Sequence, residues 1–217
     1  MNYFAHGRRF VDAPFLLAGP AVPDWLSGLY RRSRARSKSA RRFITARDQR
    51  VVQVAVGVVL HHHDDDWFHR TRAFAELNYE FTAAIRDRLR PDDSMRPSFL
   101  GHILVELLLD DCIIRQQPRL LDEYYRCLDS VDAEFVAWVV DRIATRPVPN
   151  LGQFIPRFSR ERFLYDYADD AKLLFRLNNV MHRVGLPLIP ETLVDWFPIA
   201  RDRVSQRMGE LLSAPEE

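Results

Sequence analysis

The densest group of chemically active side chains in this sequence lies between His61 and His69. Four of the seven histidines and three consecutive aspartates occupy these nine positions. They follow an apolar run, residues 51–60, that predicts a buried helix. Because buried imidazoles and carboxylates need partners, and one metal ion satisfies both, the stretch predicts a metal site.

A second pair of the same kind interrupts a strongly apolar segment, residues 97–114, which predicts another helix. His102 and Glu106 are four residues apart, so their side chains share one face of that helix and can reach one ion. The alternative is a buried hydrogen-bonded pair without a metal.

Helical periodicity divides the first group into faces. His61, Asp65 and His69 lie on one face that drifts by about 40° per step, and His62 and Asp66 form the adjacent pair. Two helices that each present a histidine and a carboxylate at this spacing are a usual way for a helical protein to build a metal site.

Asp24 and His6 are two further candidates for the ligand shell. Asp24 follows Pro23 in an apolar segment, where it is either the N-cap of a helix that starts there or a carboxylate satisfied by a cation. A site of imidazoles and carboxylates without thiolates suits one or two ions of manganese, iron or zinc. Such an ion polarises a phosphoryl oxygen and acidifies water for hydrolysis.

The elements that must position these residues are all predicted to be helices. We expect an all-α fold of about seven to nine helices in a single domain, residues 1–217, with a frayed tail at 213–217. Residues 45–89 predict one long helix or two in line. Its buried stripe is expected at Val52, Val56, Val59 and Leu60, with Gly57 allowing a neighbouring helix to pack closely.

A basic stretch, residues 31–42, carries seven basic side chains and no acid. It is either a solvated loop or helix extension, or a surface that collects a phosphate or an acidic partner protein. Nucleic acid is an unlikely partner because the stretch contains no reader motif.

Composition and charge narrow the remaining functional classes only slightly. The formal net charge is +1. Two cysteines without a Cys-x-x-Cys spacing are expected to be reduced. Neither a signal peptide nor an apolar run long enough to span a membrane is visible, so we expect a cytoplasmic protein without a membrane partner.

Three short motifs resemble acyl carrier protein phosphodiesterases, a branch of the HD-type metal-dependent phosphohydrolases. They are M-N-Y-F-A-H at residues 1–6, A-G followed by V-P-D-W within residues 18–25, and G-V-V-L-H-H-H-D-D at residues 57–65. The pair His102 and Glu106 is similar to a later Asp-x-x-x-Asp of that family, and residues 176–190 to its closing helix end. Zinc phospholipase C-like proteins, which also carry His-x-x-x-Asp and His-x-x-x-Glu on core helices, are a second resemblance.

The resemblance implies an HD-like core and hydrolysis of a phosphodiester. It implies metal roles for Asp24, His61, Asp65, His102 and Glu106, with His6 nearby, and it favours His61 and Asp65 over His63 and Asp64, which are expected on the outer face. The sequence departs from the family at His62, where the family has arginine, and at residues 67–69. His62, Asp66 and His69 are expected to transfer protons or to be further ligands. The residues expected to bind the phosphate or the acidic partner are Arg31, Arg32, Arg34, Arg36 and Arg176.

Two other functional classes compete with hydrolysis. One is a non-catalytic helical protein that keeps a structural ion or a buried network of histidines and carboxylates. The weaker one is a nucleic-acid adaptor that uses the basic stretch.

Overall fold

The computed structural model describes residues 1–30, 32–89 and 96–214, and every regular element within these ranges is a helix. The predicted all-α fold is therefore confirmed. Nine α-helices have eleven residues or more, and two are short. The α-helices are α1 Tyr3–Gly7, α2 Pro14–Leu29, α3 Ser37–Ala40, α4 Gln49–Phe68, α5 Arg72–Arg86, α6 Pro97–Gln116, α7 Pro118–Asp129, α8 Ala133–Ile143, α9 Leu151–Glu161, α10 Asp170–Val184 and α11 Phe197–Leu211.

Four 3-10 helices and one bridge complete the regular structure of the described ranges. The 3-10 helices are Arg8–Phe10, Arg41–Phe43, Phe163–Ala168 and Glu191–Trp196. An isolated antiparallel bridge pairs Ala35 with Ala144. Within the described part of the chain, no helix is both long enough and apolar enough to cross a bilayer.

Local sequence explains where the site-bearing helices begin and end. α6 begins at Pro97, a residue that suits the first helical turn. α4 and α5 are separate helices because Thr71 caps α5, its side-chain oxygen accepting from the amide of Phe74 at 3.1 Å. The expected helix start at Asp24 is wrong: α2 already begins at Pro14, so Asp24 lies inside it.

Contacts divide the chain into two compact units. The first consists of Met1, Tyr3–Asp66 and Gln117–Arg162, and the second of Asn2, Trp67–Gln116 and Phe163–Glu217. Each has its own apolar core, with Trp25 and Tyr124 fully buried in the first and Phe81 and Phe197 in the second. The single domain over residues 1–217 stays a prediction.

The buried face of α4 differs in phase from the expected one. Val51, Val54, Ala55 and Val58 are buried, whereas Val52, Val56, Val59 and Leu60 are partly exposed. Valines cover most of this helix, so apolar spacing alone does not fix its rotation. The rotation matches a close approach to α2, where a Cβ added to Gly57 would lie 2.7 Å from the Cα of Gly19. The predicted close packing at Gly57 is confirmed.

Candidate metal centres

The first unit brings together His6 from α1 with His61 and Asp65 from α4, a group named here the His6 cluster. His6 Nε2 lies 3.2 Å from Asp65 Oδ1, and His61 Nε2 lies 3.4 Å from Asp65 Oδ2. The two imidazole rings stack with their centroids 4.3 Å apart. One ligand atom from each of the three residues lies within 4.8 Å of the others. The three side chains therefore offer ligand atoms that are close enough together to reach one metal ion.

Three of the four ring nitrogens of the His6 cluster lack hydrogen bonds. Both ring nitrogens of His6 and Nδ1 of His61 are buried without a hydrogen-bond partner. Leaving such an atom unsatisfied costs about 1–3 kcal/mol. Two ligands of a tetrahedral ion with metal–ligand bonds of about 2.0–2.1 Å lie roughly 3.3 Å apart. The 3.2 and 3.4 Å separations match that value, so the residues fit a zinc-like ion.

Charge and burial set the protonation of the His6 cluster. Burial and, to a smaller extent, the neighbouring His6 lower the pKa of His61 to about 3, against the attraction of Asp65. Burial also acts to lower the pKa of His6, but Asp64 and Asp65 outweigh it and raise that pKa. Because the nitrogens of His6 are poorly aligned with these carboxylates for hydrogen bonding, we attribute this rise to charge attraction. His61 is therefore neutral at pH 7, the form that binds a metal.

Asp65 is held as a carboxylate. Burial acts to raise its pKa, but His6, the α-amino group and His61 together bring the pKa well below the ordinary value. The α-amino nitrogen of Met1 lies 2.6 Å from Asp65 Oδ1. The cluster thus presents one anionic ligand and one neutral imidazole at neutral pH.

Asp64 supports the cluster from the side, contrary to its expected place on the outer face. Its residue exposure is 3%, since the buried stripe of α4 continues to it. Its Oδ2 accepts from Arg9 Nη2 at 2.6 Å and lies 3.6 Å from Nδ1 of His6. His63 is exposed, as expected. Arg9 and Asp64 are 55 positions apart in the sequence, so no local sequence pattern predicts their pairing.

The second unit contains a separate group, named here the His69 cluster, formed by His69, His102 and Glu106. His69 lies just after α4, and the other two lie on α6. His69 and His102 both direct Nε2 at Oε1 of Glu106, at 2.9 and 3.1 Å. The edges of both rings pack against Phe74. The sequence predicted His69 to be a proton-transfer group or a further ligand, and the structure places it beside the predicted ligand pair.

The His69 cluster is more open than the His6 cluster. The side chains of His69 and His102 are 32% and 35% exposed, while that of Glu106 is 12% exposed. Burial acts to raise the pKa of Glu106, but the two histidines contribute to bringing it well below its ordinary value. The arrangement suits a three-ligand metal site that opens to solvent, and it equally suits two imidazoles that donate to one carboxylate.

The other candidate residues lie elsewhere. In the part of the chain that the structure describes, neither cluster includes Asp24 or Asp66, and Asp66 is exposed on α4. His62 donates from Nε2 to the carbonyl oxygen of Ala35 at 2.7 Å. Their roles as ligands or proton carriers stay predictions.

The candidate phosphate-binding arginines are spread over both units. Arg32, Arg34 and Arg36 are exposed in the first unit, and Arg31 lies outside the described residues. Arg176, in the second unit, pairs with Asp166 at 2.6 Å. Phosphate binding by these side chains stays a prediction.

Comparison with known proteins adds no relative. No family model, no curated protein and no solved structure matches this chain. The resemblance to acyl carrier protein phosphodiesterases stays a prediction from short motifs.

Proposed function

We propose that this protein is a metal-dependent phosphoester hydrolase whose ion is held by His6, His61 and Asp65. The observation that carries the proposal is that both buried ring nitrogens of His6 lack hydrogen bonds, while ligand atoms of His6, His61 and Asp65 lie close enough together to reach one ion. A cation bound to one ring nitrogen of His6 would remove the cost of leaving that nitrogen unsatisfied. The donor set favours manganese, iron or zinc.

The chemistry follows from the donors. A divalent cation held there would supply a Lewis acid for a phosphoryl oxygen and would acidify water. Asp65 contributes negative charge at neutral pH, and His61 contributes a neutral imidazole. Asp64, paired with Arg9, lies 3.6 Å from Nδ1 of His6 and orients the ring. The reacting phosphate belongs to a small substrate or to one carried on an acidic protein.

The His69 cluster is proposed as a second ion site of the same enzyme. His69 is then a ligand beside His102 and Glu106. The alternative, a non-catalytic protein, is favoured by one observation: the two histidines already satisfy Oε1 of Glu106 without an ion. We also propose a cytoplasmic location, supported by the free, buried thiols of Cys112 and Cys127.

The test is metal content together with turnover. Purified protein is stripped with chelator, incubated with Mn²⁺, Fe²⁺ or Zn²⁺, desalted and assayed for bound metal and for hydrolysis of bis(p-nitrophenyl) phosphate. We expect bound metal and metal-dependent turnover. His61→Ala should lose the turnover and the ion of the His6 cluster, and should keep an ion at the His69 cluster. The matched control is His63→Ala, two positions along α4 and exposed. Protein that stays metal-free in all three incubations would contradict the proposal.

Replacement of His102 separates the enzyme from the non-catalytic alternative. In the enzyme, His102→Ala lowers turnover while the melting temperature stays close to that of the parent. In a structural network, the melting temperature falls and no turnover existed to lose. His182→Ala, at an exposed position of α10, is the control in the second unit.

A further inference from the structure

Residues 32–36 and 142–146 of the first unit lie side by side and form a surface rich in arginine, named here the basic surface. Ala35 bridges Ala144, the amide of Thr145 donates to the carbonyl of Arg34 at 3.0 Å, and Ser33 Oγ donates to the carbonyl of Arg146 at 2.9 Å. The two ranges contain five arginines and no acidic residue. All five arginines are exposed.

The contacts between residues 32–36 and 142–146 leave the arginines of the first range exposed to solvent. Ser33 and Ala35 are buried, at 2% and 3% exposure, and the residues between and beside them are exposed. In extended chain, alternate side chains share a face and are about 7 Å apart. Arg34 and Arg36 therefore form a row on the solvent side, and Arg32, in the turn just before them, is also exposed.

His62 ties this row to the helix that carries the candidate metal ligands. Its Nε2 donates to the carbonyl oxygen of Ala35, the central residue of the first range, at 2.7 Å. Its ring also lies edge-on to the ring of His61, with centroids 5.3 Å apart. One imidazole thus separates the backbone of the basic surface from a ligand of the His6 cluster.

We propose that the basic surface binds a phosphate group of the substrate other than the one that is hydrolysed, and that His62 is the positioning residue that holds the surface beside the His6 cluster. The proposal rests on the proposed function for the nature of the reacting group. Guanidinium groups bind phosphate through paired, charge-assisted hydrogen bonds. The substrate class is accordingly a phosphoester that carries at least one further phosphate.

Two arginines of the surface are already engaged and are poor choices for a test. Arg34 Nη1 donates to the carbonyl of Ser33 at 2.7 Å, and Arg142 lies over the ring of Trp138, 3.7 Å from its centroid. Arg32 and Arg36 carry the test instead. Their control is Arg119→Ala with Arg126→Ala, which removes the same charge from exposed positions of α7 in the same unit.

The experiment measures binding of inorganic tripolyphosphate to metal-free protein by titration calorimetry, so the result does not depend on a metal or on turnover. We expect Arg32→Ala with Arg36→Ala to weaken binding about tenfold and the α7 control to change it little. His62→Ala should weaken binding several-fold, and His62→Gln, whose amide N–H can donate to Ala35, should restore part of it. Melting temperatures check that each variant is folded.

Three outcomes would overturn the inference. One is tripolyphosphate binding that both arginine pairs reduce equally, which would mean attraction to net charge alone. Another is His62→Ala protein that binds as the parent does. The third is affinity for single-stranded oligonucleotides that rises steeply with their length, which would identify a nucleic-acid surface instead. Metal content measured on the same samples tests the proposed function separately.

Discussion

Replacement of His61 by leucine should make the protein more stable than the parent without metal and less stable than the parent with metal. In chelator at pH 7, His61 is a neutral, buried imidazole because its pKa lies at about 3. Its Nδ1 has no hydrogen-bond partner, which costs about 1–3 kcal/mol. Leucine has a similar volume and no polar nitrogen, so the substitution removes that cost. Part of the stabilisation is lost because leucine does not have the shape of the imidazole that it replaces.

The expected magnitudes follow from these terms. Without metal, His61→Leu should be more stable than the parent by about 1 kcal/mol, which raises the melting temperature by about 2–4 °C for a chain of this size. With metal at a hundred times its dissociation constant, the parent gains about 2.7 kcal/mol, or roughly 5–10 °C. The variant lacks a ligand of the His6 cluster and gains little from metal at that site, so it becomes the less stable protein.

Thermal unfolding followed by circular dichroism, in chelator and in metal, measures both differences. His63→Leu is the control, since His63 is exposed on the same helix, and it should respond to metal as the parent does. If His61→Leu is clearly destabilised in chelator, the imidazole makes a structural contact and the argument from its unsatisfied nitrogen is refuted. If metal does not raise the melting temperature of the parent protein, the predicted stabilisation by a bound ion is refuted.

Three further predictions concern packing, a thiol and a buried ion pair. Gly57→Ala should destabilise the protein by about 1–3 kcal/mol, because the Cβ of the alanine would lie 2.7 Å from the backbone of Gly19. The control is Gly209→Ala, where an added Cβ meets nothing within 4 Å. Equal melting temperatures for the two variants would argue against the close approach of α4 to α2. Burial raises the pKa of Cys112 from 9.0 to about 11, so folding favours the neutral thiol and the free energy of unfolding falls as the pH rises from 9 to 11. Cys112→Ala should not show this fall, which amounts to at most about 2–3 kcal/mol. If urea unfolding of parent and variant depends on pH in the same way, the raised pKa is contradicted. Arg201→Ala should cost about 1–3 kcal/mol in urea unfolding, because it removes charge-assisted hydrogen bonds to the fully buried Asp111 and to Asp170, while Arg115 still pairs with Asp111. Arg203→Ala, which breaks the exposed pair with Glu80, should cost little. A cost as large as that of Arg201→Ala would refute the role of burial.

Contacts between residues four positions apart were predictable. The sequence placed His61 with Asp65 and His102 with Glu106, and their atoms lie 3.4 and 3.1 Å apart. Helical periodicity alone determines both pairs, because it needs no knowledge of the tertiary fold. The all-α class followed from the same periodic signals.

Contacts that depend on tertiary packing were not predictable. His6 reaches α4 across more than fifty positions, and Arg9 does the same to bind Asp64. The sequence named His6 as a nearby candidate but held no signal for Arg9. The apolar pattern also did not predict which face of α4 is buried, because valines lie on several of its faces. The rotation is fixed instead by the contact of Gly57 with Gly19, which depends on the tertiary fold.

The discontinuity of the two units has a consequence for the order in which the chain can fold during synthesis. The candidate ligands of the first unit all lie within its first 65 residues, but Tyr124 and Tyr125, which fill its core, are made only after residues 67–116 of the second unit. The second unit in turn needs helices that begin after residue 163. Neither unit corresponds to one continuous fragment, so a ribosome-bound chain that ends near residue 116 should hold helices without a completed core. We therefore expect both units to complete their folding late, when most of the chain has left the ribosome.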